Sequence, residues 1–335
     1  LTETMVNEYI KGPYHNITIV ASGSSNNAAQ CARLYMEKVL KCKVTVISPF
    51  EFIHAEHSVA SDEMVIAVSQ SGYSVNTMEA LKFINDELTR KSIVLTGDLN
   101  SDIVSVADLA VDFGVGEETV GYVTKGVIAL SLYLMLFALE AAKMCKIIGQ
   151  NEYDTWVREF EKVSGAHEKM IVATKKFYAD NIKALTSLQT VYICSVGANM
   201  GTAMEGALKV GETIQVPGIA YELEEYIHGP NLQLSPKHNV FIIDTQDETS
   251  DRSYQIYRAS RAVSDRVYYI TNKAYDDDHV LTLLNPCADT VSLTYLQVFQ
   301  LFAYRISKEL RSIPKHPLFE EFKKIVNSKT ITYED

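Results

Sequence analysis

Residues 17–30 read ITIVASGSSNNAAQ, and residues 64–77 read MVIAVSQSGYSVNT. Each stretch begins with a short apolar run rich in β-branched residues and passes through glycine and serine into a segment with helical spacing. Alternation of such strands with helices is typical of a parallel sheet covered by helices. With further strands predicted at 44–47, 92–96 and 109–111, the first half of the chain is expected to form an α/β domain.

The same pattern begins again in the second half. The run TVYIC at 190–194 leads through a second glycine turn into a helix, so that Gly197 aligns with Gly23. Self-similarity of this kind indicates an internal duplication. Further strands of the second half are predicted at 240–244, 267–270 and 290–293.

The predicted domains are residues 1–150 and residues 151–335. The second comprises a charged, amphipathic linker helix over 153–183, the repeated α/β unit and a C-terminal tail. Each domain is expected to be a parallel sheet between two layers of helices, a three-layer arrangement of the flavodoxin-like type.

Charge and cysteine content exclude several classes of partner. The chain has 42 acidic and 31 basic residues and a net charge of −11, which argues against nucleic acid and anionic membrane surfaces, since both attract concentrated positive charge. The five cysteines are dispersed without a CxxC pair, so no metal site is expected. Their odd number suits a reducing compartment, and we therefore expect a cytoplasmic location. The apolar run 127–139 is shorter than the roughly 20 residues of a membrane span and is predicted to be a buried helix.

Two hydroxyl-rich loops, Ser22–Ser25 and Ser69–Ser74, follow predicted strands and enter helices. Helix N-termini and hydroxyl groups together can bind a phosphate without arginine. Serines at such positions also act as simple N-caps, but two such loops at strand ends of one sheet favour a phosphate site. Walker and dinucleotide-binding fingerprints are absent. The candidate phosphate donors are Ser24, Ser25, Ser69, Gln70, Ser71 and Ser74.

A candidate acid–base set lies in the second half. Residues 204–212, MEGALKVGE, place Glu205, Lys209 and Glu212 at i, i+4 and i+7 of a predicted helix, hence on one face. One carboxylate can move a proton between adjacent sugar carbons, histidine suits ring opening, and lysine suits Schiff-base chemistry. His228, within EEYIHGP at 224–230, is the candidate histidine. A surface ion pair and a turn histidine are the alternative interpretations.

Taken together, these motifs resemble the sugar-isomerase (SIS) domain family. The resemblance is to the isomerase domain of glutamine–fructose-6-phosphate aminotransferase and to fructosamine and glucoselysine 6-phosphate deglycases. The segment SQSGYSVNT at 69–77 is similar to the SIS phosphosugar loop, and MEGALKVGE followed by EEYIHGP is similar to the catalytic stretch. The fold implied is two tandem SIS domains.

The resemblance also implies roles for matching positions. Glu212 would be the proton-transfer carboxylate and His228 the ring-opening group, with Lys209 in a supporting catalytic position and Glu205 near the substrate. Lys329, in the tail NSKTITYE at 327–334, is the counterpart of a ring-opening lysine in a segment that closes over the sugar.

The segment ETVGYVTK at 118–125 resembles a third element that lines the sugar. It makes Glu118 and Val123 candidates for substrate binding. Val123 stands where the resemblance leads one to expect a serine, so the bound sugar is expected to differ.

Three functions remain open on the sequence alone. The first is a deglycase or deaminase that cleaves the C–N bond of a fructosamine- or amino-sugar 6-phosphate; the second is an aldose–ketose phosphosugar isomerase; the third is a non-catalytic phosphosugar sensor. The chain is expected to lack the glutaminase domain of the aminotransferase, which ranks C–N cleavage first, and its acid–base residues favour an enzyme. The resemblance further implies a homodimer with shared active sites and no cofactor.

Overall fold

The computed structural model describes residues 1–116, 118, 122–283, 287–312 and 319–332, except for the side chains of 319 and 320. The chain forms two compact units. The first unit comprises Leu1–Asp154 with Lys315–Asp335, and the second comprises Thr155–Pro314. The C-terminal tail therefore belongs to the first unit, whereas the sequence placed it in the second domain.

The first unit is built around a five-stranded parallel sheet with the strand order β2-β1-β3-β4-β5. Its strands are β1 (Asn16–Ala21), β2 (Lys43–Ile47), β3 (Glu63–Ser69), β4 (Ile93–Thr96) and β5 (Leu109–Asp112). Its helices are α1 (Glu3–Lys11), α2 (Gly23–Leu40), α3 (Pro49–His54), α4 (Val75–Asp86), α5 (Lys125–Met144) and, near the C-terminus, α12 (Phe319–Ile325).

The second unit has its own five-stranded parallel sheet, with the order β10-β9-β8-β6-β7. Its strands are β6 (Thr190–Ser195), β7 (Gly218–Glu222), β8 (His238–Ile243), β9 (Val267–Thr271) and β10 (Val280–Thr282). The helices from the unit boundary onward are α6 (Gln150–Asp180), α7 (Ile182–Leu185), α8 (Met200–Lys209), α9 (Leu223–Ile227), α10 (Ser250–Arg261) and α11 (Val291–Leu310).

Numbered within its own unit, each sheet has the strand order 2-1-3-4-5, which is the flavodoxin-like arrangement. The predicted α/β fold with two similar parallel-sheet domains is confirmed. Gly23 and Gly197 occupy the same place in the two units, directly after the first strand, with φ of +55° and +61°. This backbone conformation favours glycine, which explains why both turns carry it.

Both faces of the second sheet are buried. Along β6, Val191 and Ile193 face one apolar cluster, whereas Tyr192 and Cys194 face another. Side chains of a strand point alternately to opposite faces, so a strand buried on both sides reads as a continuous apolar run. This is why TVYIC was recognisable as a strand without polar alternation.

Helix α5 is long and apolar enough to cross a membrane by length and composition alone. In the first unit it is instead a core helix: Leu134, Phe137 and Ala138 are fully buried, and it packs against α1 and α2. The prediction of a buried helix at 127–139 is confirmed.

The strand predicted at 290–293 is wrong. These residues end a short 3-10 turn and begin α11, a helix whose first nine residues are all buried. A short apolar run can be either a strand or a fully buried helix, and periodicity does not separate the two. The edge strands β7 and β10 were not predicted, because neither presents a fully buried apolar run.

Close packing of α8 on β7 yields a stability prediction. A Cβ at Gly218 would lie 2.5 Å from the Ala207 carbonyl oxygen, whereas one at Gly165 on α6 would meet nothing within 4 Å. Gly218→Ala should destabilise the fold by about 1–3 kcal/mol, because backbone must move. Gly165→Ala should stabilise by about 0.5–1 kcal/mol. Equal melting temperatures for the two variants by circular dichroism would contradict this packing.

Candidate functional site

The two hydroxyl-rich loops lie side by side at the carboxyl edge of the first sheet. Strands β1 and β3 are parallel neighbours, and Ala21 is paired with Val68. The loops Ser22–Ser25 and Ser69–Ser74 therefore leave the sheet at the same level, where α2 and α4 begin. Ligands of open parallel sheets bind at this edge, and helix N-termini there attract anions.

The first loop is shaped by its glycine. Gly23 has φ of +55°, and a Cβ there would meet nothing within 4 Å. Its conformation, not a lack of space, therefore requires glycine. Ser22 precedes α2 in an extended conformation, but its hydroxyl does not cap the helix, and Ser24 and Ser25 follow, half-buried, in the first turn.

The second loop uses its serine oxygens as acceptors. Ser69 Oγ accepts from the Gly72 N–H at 3.2 Å, Ser71 Oγ from the Tyr73 N–H at 3.4 Å, and Ser74 Oγ from the Thr77 hydroxyl at 3.1 Å. Within the described part of the chain, none of the three hydroxyl protons is donated to another group. A phosphate could accept all three, which is what an arginine-free phosphate site requires.

Gln70 and Glu118 connect this loop to the start of α5. Gln70 Nε2 donates to Glu118 Oε2 at 2.7 Å. The Glu118 carboxylate also accepts from the N–H groups of Thr124, Lys125 and Gly126 at 2.7, 2.8 and 3.0 Å. Glu118 thus caps α5 and holds Gln70 in place, which makes its influence on a bound sugar indirect. Val123 lies half-buried just before this cap, whereas residues 119–121 of the predicted segment lie outside the described residues.

The environment of Glu118 favours its charged form. Burial raises the pKa of this carboxyl group, but the hydrogen bonds from Thr124, Gln70, Gly126 and Lys125 outweigh it, so that the pKa lies below its ordinary value of 4.5. A carboxylate at a helix N-terminus is further favoured by the helix dipole.

We predict that Glu118→Gln lowers stability at neutral pH by about 1 kcal/mol, or about 2–4 °C in melting temperature. Because the folded-state pKa of Glu118 is depressed, its contribution is complete above pH 4.5 and is lost as the pH falls below that value. The gap between wild type and variant should therefore close in acid. Glu79→Gln, at an exposed position of α4, is the matched control. A gap that persists unchanged at low pH would contradict the role of the carboxylate.

In the second unit, Lys209 joins the two predicted carboxylates. Its Nζ lies 3.3 Å from Glu205 Oε1 and 2.6 Å from Glu212 Oε2. The side chains of Glu205 and Lys209 are each 1% exposed, whereas that of Glu212 is 32% exposed. The pair is therefore not the surface ion pair that its spacing alone would suggest, and Glu212 is the member of the set that solvent reaches.

Glu212 does not lie on regular α-helix. Residues Val210–Ile214 form a π-helical turn, closed by a hydrogen bond from the Gln215 N–H to the Val210 carbonyl at 3.1 Å. Such single π-turns within helices are frequently found at functional sites. The turn is further held by Ser312, whose hydroxyl donates to the Thr213 carbonyl at 2.6 Å. The i, i+4 and i+7 spacing of Glu205, Lys209 and Glu212 predicted a regular α-helix and not this turn. The contact with Ser312 joins residues that are distant in sequence, so the spacing does not reveal it.

Burial of this ion pair yields a second stability prediction. Lys209→Met should cost about 3–5 kcal/mol, because the buried carboxylate of Glu205 loses the cation that compensates its charge. The double variant Glu205→Leu with Lys209→Met should recover most of that loss. Urea denaturation measures both. A single variant as stable as wild type would contradict the buried pairing.

Within the described part of the chain, His228 forms no hydrogen bond or ion pair with these three residues. It follows the last residue of α9, its N–H donates to the Glu225 carbonyl at 3.2 Å, and its side chain is exposed. Across the described residues its imidazole makes no hydrogen bond or ion pair, although its charge, after the larger effect of Arg252, helps to lower the pKa of Glu224. The structure therefore does not bring His228 onto Glu212 within the described second unit.

Lys329 lies on the phosphosugar loop. Its Nζ donates to Ser71 Oγ, and its backbone forms an antiparallel bridge with Ser74. On either side, the Val75 N–H donates to the Ser328 carbonyl at 3.2 Å and the Thr330 N–H to the Tyr73 carbonyl at 3.0 Å. The tail thus adds an isolated antiparallel bridge and the Lys329 ammonium to the loop Ser69–Ser74. Tail residues 333–335 lie outside the described residues.

Two clefts are formed elsewhere. One, of about 340 Å³, lies between α9 and α10 and is lined by Tyr226, Arg252 and Ile256 among others. The other, of about 520 Å³, lies beside the amino ends of β1, β2 and β3 and is lined by Thr18, Thr45 and Glu63 among others. Neither is lined by a predicted site residue. Parallel sheets bind ligands at the opposite, carboxyl edge, which is where the two candidate loops lie.

Comparison with known proteins agrees with the fold and the motifs. The SIS domain family matches residues 13–140. An isomerizing glutamine–fructose-6-phosphate aminotransferase from Cyanidium caldarium is 26% identical over 302 residues, which cover 86% of this chain and 48% of that protein. The chain spans about half the length of such curated relatives.

Solved structures extend the similarity to both units. A candidate phosphosugar isomerase from Clostridium difficile 630 has a TM-score of 0.88 at 25% identity, covering 99% of this chain and 94% of that one. The C-terminal domain of glucosamine-fructose-6-phosphate aminotransferase from Francisella tularensis has a TM-score of 0.82 at 21% sequence identity, and the match covers 91% of this chain and 87% of that one. A glucosamine-6-phosphate deaminase from Thermotoga maritima has a TM-score of 0.74 at 18% sequence identity, and the match covers 94% of this chain and 95% of that one. The match to the SIS domain family thus covers residues 13–140, and the two parallel five-stranded sheets have the fold of two SIS domains in tandem.

Proposed function

We propose that this chain is a phosphosugar-processing enzyme that cleaves the C–N bond of a fructosamine- or amino-sugar 6-phosphate and releases a free amine and a hexose 6-phosphate. The observation that carries the proposal is the buried Glu205–Lys209 pair that ends on the partly exposed carboxylate of Glu212. A buried cation placed 2.6 Å from a solvent-reachable carboxylate fixes the orientation of a proton-transfer group.

The loops of the first unit would bind the phosphate. Their serine hydroxyls have protons to donate, the N-termini of α2 and α4 attract an anion, and Lys329 supplies a positive charge at Ser71. The net charge of −11 does not oppose such binding, because the donors are local.

Glu212 would perform the proton transfer. In an open-chain ketosamine, the carboxylate removes a proton from C1 and the conjugate acid returns one to C2. The C–N single bond thereby becomes an imine, which water hydrolyses to the amine and the aldose phosphate. His228 and Lys329 would assist ring opening, and Lys209 would hold Glu212 rather than attack the substrate, since its ammonium is buried between two carboxylates.

The relatives are compatible with this chemistry and favour one alternative. The fold is shared with a protein named as glucosamine-6-phosphate deaminase, so it accommodates C–N cleavage. Similarity to a candidate phosphosugar isomerase over 99% of the chain favours aldose–ketose isomerisation as the second candidate, in which the same carboxylate moves a proton between C1 and C2 without loss of nitrogen.

The proposal includes a homodimer. His228 is exposed, and its imidazole makes no hydrogen bond or ion pair within the described residues, which supports a role directed toward substrate or a second copy of the chain. Hexose phosphates carry charge and remain inside cells, so we place the reaction in the cytoplasm.

A product assay by mass spectrometry tests the function. The purified chain would be incubated without glutamine with fructose 6-phosphate, glucosamine 6-phosphate and a set of fructosamine 6-phosphates. Release of an amine together with hexose 6-phosphate is expected. Interconversion of hexose phosphates alone would establish the isomerase, and a phosphosugar that raises the melting temperature without turnover would establish a sensor.

Substitution of Glu212 and substitution of the loop serines should affect different steps, turnover and binding respectively. Glu212→Gln should lower kcat by at least about 10²-fold and leave the Kd for the phosphosugar largely unchanged, since a general base contributes about 10²–10⁴-fold. Ser71→Ala with Ser74→Ala should instead weaken binding measured by calorimetry. Glu168→Gln, exposed on α6, is the control. Retained turnover in the Glu212 variant with lost binding would overturn the assignment.

A further inference from the structure

A short turn after β4 packs against the phosphosugar loop, residues Ser69–Ser74, and is hydrogen-bonded to it. The 3-10 turn Asp102–Val106 follows Ser101, and the Ile103 N–H donates to the Gly72 carbonyl at 3.0 Å. Gly72 has φ of +73°, and a Cβ there would lie 1.7 Å from Ser101 Oγ. The turn and the loop therefore form one tightly packed structure.

The same turn also binds the C-terminal tail. Thr332 Oγ1 donates to Asp102 Oδ2, and Thr330 Oγ1 lies 3.0 Å from Thr332 Oγ1. Hydrogen bonds from Thr332 and then Thr330 lower the pKa of Asp102. Asp102 is thus the acceptor of a small hydroxyl cluster on the tail, although neither the SIS motifs nor the sequence periodicity singled it out.

Polar contacts rather than apolar burial hold this tail in place. Ile325, Val326 and Ile331 are 85%, 56% and 97% exposed, so these side chains contribute little burial energy. Among the contacts that hold residues 328–332 are two backbone hydrogen bonds, to Val75 and Tyr73, the Lys329 contact with Ser71 and the Thr332 contact with Asp102. Of these, the hydrogen bond to the charged Asp102 acceptor is expected to be stronger than a bond between neutral groups.

We propose that Asp102 is a positioning residue that anchors the C-terminal tail through Thr332 and Thr330 and thereby keeps the Lys329 ammonium on Ser71 of the phosphosugar loop. Asp102 acts through the tail and not on the sugar. The consequence for turnover rests on the proposed function, whereas the anchoring itself does not.

Hydrogen–deuterium exchange tests the anchoring without any substrate. In Asp102→Ala, peptides that contain the Val75 and Thr330 N–H groups should exchange about tenfold faster than in wild type, because the tail opens more often. Thr332→Val should give the same result, Thr332→Ser should restore wild-type exchange, and the double variant with Asp102→Ala should be no faster than either single variant. Glu79→Gln on α4 removes an equal charge and should change nothing. Wild-type exchange in Asp102→Ala would overturn the proposal.

Kinetics test the consequence. Asp102→Ala should lower kcat/KM about tenfold, because Lys329, which would assist ring opening and supplies positive charge at Ser71, is no longer held there. In a Lys329→Ala background the same substitution should have no further effect on kcat/KM. An equal loss in both backgrounds would show that Asp102 acts independently of Lys329 and would contradict the proposal. If the chain turns over none of the substrates, the proposed function fails, and exchange still decides the anchoring.

Discussion

Strands β1 and β3 run side by side in the first sheet, with Ala21 paired to Val68, and the arrangement of the candidate phosphate site depends on this pairing. Because the strands are parallel, both must release their loops at the same edge, where two helices begin with unsatisfied N–H groups. The Ser22–Ser25 and Ser69–Ser74 loops therefore lie next to each other. The second loop is held by the Gln70–Glu118 hydrogen bond, by the close packing of Gly72 on Ser101 and by the bridge between Ser74 and the tail.

The second unit repeats the topology and uses it differently. The position that corresponds to the phosphosugar loop, after β8, carries Asp244, which is fully buried and accepts from Ser250 and Thr271 at 2.6 and 2.7 Å. A carboxylate there repels phosphate, and its bonds hold the turn together. In this unit the candidate acid–base residues lie instead on α8 and its π-turn, so under the proposed function the two copies of the fold would have different roles.

The parallel α/β fold and its repetition could be predicted from the sequence, because both faces of each sheet are covered. Several strands are therefore apolar runs that end in glycine or serine. It failed at 290–293, where a buried helix has the same composition as a strand, and at the half-buried edge strands β7 and β10. The loop serines and the Glu205–Lys209–Glu212 set were recognisable from motifs. The π-turn at Glu212, the capping by Glu118 and the Asp102 contact were not, because each depends on residues that are distant in sequence.

Central to this interpretation is the proposal that Glu212 moves a proton on a phosphosugar substrate. Turnover in D₂O, followed by NMR of the carbon-bound hydrogens of the hexose 6-phosphate product, tests this most directly. A carboxylate that exchanges its proton with solvent should place deuterium at C2 in the wild-type product, and Glu212→Gln should show no measurable incorporation. Deuterium incorporation at the wild-type rate in Glu212→Gln would contradict the account.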